Sequence, residues 1–111
     1  MMEIIDFEDF RKVDIRSGKI IEAEDFQKAK KPSYKLKVDL GELGIKNSSA
    51  QITKLYRKEE LVGKKVLAVV NLKPKQVADF ISEVLVLGIE TEDGVVLLTT
   101  DKETAPGKRI S

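Results

Sequence analysis

The side chains best equipped to do chemistry are lysines: Lys28, Lys30, Lys31, Lys35 and Lys37 in one run, and Lys73 and Lys75 in another. An ammonium group is a compact point charge that suits phosphate contact. The 111 residues contain neither His nor Cys. That excludes imidazole acid–base catalysis, thiol nucleophiles, disulfides and Cys/His zinc sites. Ser17, Ser33, Ser48, Ser49 and Ser82 have no histidine to deprotonate them. Gly41 and Gly44 have neither the pattern nor the strand-to-helix setting of a phosphate loop. The carboxylates cluster in acidic stretches rather than as spaced pairs. No enzyme is expected, and no cofactor.

Charge is unevenly spread although the net value is only +1. From Phe26 to Lys75 there are thirteen basic and four acidic residues; the rest of the chain has seven basic and fifteen acidic ones. Such segregation can present a basic face to a polyanion. The plainer reading is that charges making up 35% of the chain solvate a small domain. Of the few aromatics, Phe80, Tyr34 and Tyr56 are candidates for stacking on bases. With so thin an aromatic set, the basic residues point to phosphate shape in structured RNA more than to base stacking.

The elements that must position these residues are short strands. Ile4, Phe7 and Phe10 recur at helical spacing, which predicts a short amphipathic turn of helix within residues 1–10. Val13 to Ile21 reads as a long strand bent at Gly18. Phe26 to Ser33 is a loop. Tyr34, Leu36, Val38 and Leu40 alternate with Lys35, Lys37 and Asp39, giving a half-buried strand with a basic outer face. Gly41 to Gly44 turns the chain, and Ile45 to Ile52 returns as a third strand. Thr53 to Leu61 predicts a short helix ended by Gly63, and Lys65 to Leu72 a buried strand. An irregular stretch follows to Ser82. Val84 to Ile89 forms a strand paired with Val95 to Thr99 across a Glu-Asp-Gly turn, and residues 101–111 form an irregular tail. Arg16, beside Asp14 and Lys19, is expected in a cross-strand ion pair. Six or more short strands with little helix predict an all-β fold, an OB-fold Greek-key β-barrel with short peripheral helices; a small β-sandwich is the alternative.

Four stretches carry a family resemblance. Asp14-Ile15-Arg16-Ser17-Gly18-Lys19-Ile20 resembles the opening strand of the tRNA-binding domain family. This OB module occurs at the C-terminus of some methionyl-tRNA synthetases, in the phenylalanyl-tRNA synthetase β subunit and in free-standing proteins. Asn71-Leu72-Lys73-Pro74 resembles the family's strand-end motif, and Ser82-Glu83 before Val84-Leu85-Val86-Leu87 its next one. The run from Gly44 to Thr53, with Lys46 inside it, is similar to the signature of the CsaA branch, small homodimeric export-related chaperones. The resemblance covers Phe10 to Ile110 and implies one domain over 1–111. Many tRNA-binding members place Arg-Gly shortly after Lys-Pro; here Ala78 and Asp79 stand there, as the CsaA branch also lacks that Arg.

The resemblance implies RNA contact through Lys73, Lys75, Ser82, Glu83, Lys46, Lys30 and Lys31. It also implies a homodimer interface at Ile4, Phe7 and Phe10. Two ligand classes stay open: tRNA or another structured RNA, and unfolded or pre-export polypeptide held in an apolar cleft. A dedicated tRNA binder or synthetase-docking module is the alternative to a chaperone. No apolar run approaches the ~20 residues of a membrane span, and the acidic start does not read as a signal peptide. A cytoplasmic protein with no membrane partner is expected.

Overall fold

The computed structural model describes residues 2–111. Alternation of apolar and charged residues builds the central sheet. Strand β1 (Ile15–Asp25) pairs antiparallel with β2 (Tyr34–Asp39) through its second half and with β4 (Lys65–Val69) through its first. Strand β3 (Ile45–Ala50) follows β2 after a 3-10 turn at Gly41–Leu43, and β7 (Leu85–Val86) pairs with β4. The sheet order is β3-β2-β1-β4-β7. Its two edges meet where the Glu83 and Val84 N–H groups donate to Asn47 O at 2.8 and 3.2 Å. The result is a nearly closed antiparallel barrel, as expected for an OB-fold.

The predicted inward face of β2 is the core: Tyr34, Leu36 and Val38 are buried, joined by Ile20, Leu40, Ile52, Leu61, Val66, Ala68 and Val84. Each fully buried aliphatic side chain among them contributes about 1.5–3 kcal/mol. Helix α2 (Lys58–Leu61) is a single turn that drives Leu61 into this core. The helix predicted from Thr53 is thus confined to its last four residues. The other short helix, α1 (Phe7–Arg11), begins after Asp6 and has acids in its first turn and Arg11 in its last, the order that suits the helix dipole.

Gly18 lies where β1 passes from β4 to β2. A Cβ there would lie 2.7 Å from Val38 Cγ1 and 3.0 Å from Leu40 Cδ2, so glycine lets the strands approach. The irregularity falls three residues later, where the register with β2 shifts between Ile20 and Glu22. A bulge at that point lets one strand serve both halves of the barrel.

Two further expectations are corrected, and the irregular tail gains its anchors. The stretch before Ser82 contains a hairpin, β5 (Lys75–Val77) and β6 (Phe80–Ser82). The strand read from Val84 to Ile89 is split: β7 ends at Val86, and β8 (Gly88–Thr91) forms a separate hairpin with β9 (Gly94–Leu97). The tail is tied down along β1. Ser17 N–H donates to Lys108 O at 2.8 Å, Gly107 N–H to Ser17 O at 2.7 Å, and Ile110 N–H to Ile15 O at 2.9 Å. Ser17 Oγ donates to Ala105 O and accepts from Lys108 N–H.

Candidate nucleic-acid interface

Beyond β4 the chain must leave the sheet, because Pro74 has no N–H for a ladder. Asn71 fixes where it leaves. Its Oδ1 accepts from Asp14 N–H at 2.9 Å and its Nδ2 donates to Lys12 O at 2.7 Å. Leu72, Lys73, Pro74 and Lys75 follow, all exposed. Lys75 opens β5 opposite Ser82, and Val77 lies opposite Phe80. The hairpin turns at Ala78 and Asp79, with Ala78 held at φ +54°, a left-handed conformation that costs a residue with a Cβ about 1–2 kcal/mol.

Both ends of this hairpin are anchored. At its base Ser49 N–H donates to Ser82 Oγ at 3.1 Å, and Asn47 N–H donates to Glu83 Oε1 at 3.0 Å. Ser82 and Glu83 therefore tie the hairpin to the edge of β3. At the tip, Phe80 packs edge-on against Phe26 with ring centroids 5.4 Å apart, and Lys28 Nζ lies 2.7 Å from Asp79 Oδ2. That pair holds the Asp79 carboxyl below the usual carboxylate range, chiefly through the Lys28 hydrogen bond. The tip contacts thus bring the loop bearing Lys30 and Lys31 alongside the hairpin.

Lys46, on β3, lines a groove of about 410 Å³ with Asn71, Leu72, Pro74, Glu83 and Leu43. Asp14 lies at the same groove; its carboxyl is held below the ordinary range, first by the Arg16 hydrogen bond. The fold therefore gathers Lys46, Lys73, Lys75, Ser82 and Glu83 around one groove and the hairpin base, with Lys30 and Lys31 toward the hairpin tip.

The ion pairs sort the lysines. Lys35 faces Glu24 at 3.7 Å and Lys37 faces Glu22 at 3.6 Å. The outer face of β2 is consequently neutralised by acids of β1 that pair across from it. Among the described residues, Lys30, Lys31, Lys46, Lys73 and Lys75 have no carboxylate partner. Arg16 pairs with Asp14, the residue just before its own strand, Nε to Oδ1 at 2.7 Å, and donates to Gly107 O; the expected cross-strand pair is not formed. Tyr34 is no stacking platform: it is 8% exposed and its hydroxyl donates to Tyr56 O. Phe80 is half-buried against Phe26.

Sequence reasoning missed the clamp made by Asn71 and the apolar lining from Leu43 and Leu72. An asparagine near a proline signals a turn but not which distant backbone it will hold. Ser48, in the branch-like run, is fully buried with no hydrogen-bond partner for its Oγ. It packs as a small core residue. At the N-terminus, Ile4 is 88% and Phe7 65% exposed, and the Phe7 and Phe10 rings lie 6.1 Å apart.

Residues 15–109 match the family model described as "Putative tRNA binding domain". The chain is 43% identical over 110 residues to the methionine–tRNA ligase of Methanocaldococcus jannaschii, covering 98% of this chain and 17% of that protein. It thus spans less than a fifth of the length of the ligases it matches. In structure it is similar to the CsaA chaperone protein of Picrophilus torridus, with a TM-score of 0.93, 58% identity, and 97% of this chain and 100% of that one covered. The chaperone CsaA of Bacillus anthracis str. Ames gives a TM-score of 0.92 and 49% identity, covering 98% and 100%.

Proposed function

Because the chain belongs to the tRNA-binding domain family, we propose that it is a non-enzymatic, cytoplasmic RNA-binding protein that contacts the phosphates of tRNA or another structured RNA. The observation that carries this reading is the set of lysines free of carboxylates: Lys46 in the groove, Lys73 and Lys75 beside it at the strand end and hairpin base, and Lys30 and Lys31 near the hairpin tip. Free ammonium groups on an anchored hairpin recognise spaced phosphates without rearrangement. Ser82 and Glu83 support them by fixing the hairpin to β3.

The protein acts as a homodimer in this reading. Ile4 and Phe7, with Phe10 beside them, offer an apolar surface that the chain itself leaves exposed, and a two-fold contact would bury it. A second, chaperone-like role is favoured by the groove, whose Leu43, Leu72 and Pro74 sit beside Lys46 and Glu83. An apolar floor with charged rims fits an extended polypeptide, and the likeness to CsaA chaperones supports it.

The test is a competition between labelled tRNA and an unfolded polypeptide, each titrated at two salt concentrations. RNA binding through lysines falls steeply with salt, while capture in an apolar groove changes little. The expected result is salt-sensitive tRNA binding. Polypeptide binding with no tRNA binding at any salt overturns the RNA reading and leaves the chaperone role alone.

A further inference from the structure

A second groove, of about 470 Å³, opens at the other end of β4 and is polar in a way the first is not. Lys64, Lys65, Thr99, Thr100, Lys102 and Glu103 line it. Tyr56 also lines it, fixed because its hydroxyl accepts from Leu97 N–H at 3.0 Å and its carbonyl accepts from the Tyr34 hydroxyl. Lys64 Nζ stands 5.7 Å from the Tyr56 ring centroid. Among the described residues neither Lys64 nor Lys102 has a carboxylate partner.

Only Lys65 is engaged, and its partner is informative. Glu103 reaches it from the tied-down tail with a side chain that is 91% exposed. Lys19 stands opposite Lys65 across the β1–β4 ladder and adds to the field on that carboxylate. Glu103 is thus an anion that the chain itself supplies to the lysine-lined groove, and it is barely packed.

We propose that this groove is a phosphate-binding site, occupied by the backbone of the same RNA that contacts Lys73 and Lys75, with the Glu103 carboxylate as the internal anion that the phosphate displaces. The choice of RNA as occupant rests on the function proposed above; the phosphate chemistry rests on the groove alone. Lysines supply the charge and the two threonine hydroxyls supply neutral donors. Lys64 and Lys73 lie on either side of β4, whose five residues span roughly 17 Å. Contacts at both ends of a strand suit a folded RNA rather than a short single strand.

The experiment uses two probes on the full chain. Inorganic pyrophosphate is titrated while the backbone amides of Lys64, Thr99 and Thr100 are followed by NMR. These signals should shift saturably in the wild type. Glu103→Gln should tighten the binding by about twofold to fivefold, the range that releasing an exposed ion pair allows. Lys64→Glu/Lys102→Glu should abolish it, and Lys73→Glu/Lys75→Glu should leave it unchanged. In parallel, tRNA is titrated against salt, where Lys64→Glu/Lys102→Glu should flatten the slope by roughly two units. Absence of pyrophosphate shifts in both wild type and Glu103→Gln overturns the site. Shifts with pyrophosphate but an unaltered tRNA slope overturn the RNA occupant. If wild type binds no tRNA at all, the proposed function fails and the occupant with it, and pyrophosphate alone decides whether the site exists.

Discussion

Asp79 is the side chain most at odds with a phosphate-binding hairpin, yet its charge is not free. Lys28 holds it at 2.7 Å, and the pairing lowers the Asp79 pKa and raises that of Lys28. One lysine of the basic run is spent on an acid at the hairpin tip. Asp79→Asn should release Lys28 while keeping a residue that tolerates a turn. The expected outcome is tighter tRNA binding, by about twofold to fivefold at low salt, with a salt slope steeper by up to about one unit. Fluorescence anisotropy at several salt concentrations checks it; unchanged affinity would remove the tip from the RNA footprint. This competition was partly legible in the sequence, since an acid follows the strand-end motif. Its partner was not, because Lys28 and Asp79 are 51 residues apart.

At the scale of elements, periodicity reported the strands with faces buried on one side. Tyr34 to Asp39 alternates as read because one side packs on the core and the other meets solvent. The β5–β6 hairpin was invisible for the converse reason. Its six residues bury no complete face, and its turn carries Ala78 at positive φ rather than the glycine that usually marks such a turn. The lysines of the candidate site were legible as charges, but their sorting into free and paired ones depends on register. The tail has no regular element, as read, but the hydrogen bonds that hold it come from β1 and are not signalled by its own sequence. Gly107 is the element's critical residue: at φ +88°, its Cβ would lie 2.5 Å from Leu40 O. Gly107→Ala should cost roughly 2–4 kcal/mol, the left-handed penalty plus the clash. Gly63→Ala is the control, since Gly63 has φ +95° and nothing within 4 Å, so only the conformational part applies. Urea unfolding of both variants measures the difference. Equal losses would mean that the tail is not packed against Leu40 as described.

Two surfaces distinguish the molecule from a generic barrel: the exposed N-terminal apolar segment, and the lysines in and beside the first groove. The first predicts assembly. Light scattering at micromolar concentration should give about twice the 12.4 kDa chain mass, and Ile4→Asp/Phe7→Asp should return the monomer. A wild-type monomer at that concentration contradicts the homodimer. The second surface predicts that Lys73 and Lys75 bind RNA phosphates. Both are exposed and outside the core, so reversing their charges should change stability little. The decisive measurement is the salt dependence of tRNA binding by wild type and by Lys73→Glu/Lys75→Glu. Each lost phosphate contact removes about one released counterion, so the variant should bind more weakly and its slope should be shallower by roughly two units or more. Coincident salt curves for the two folded proteins would contradict the account.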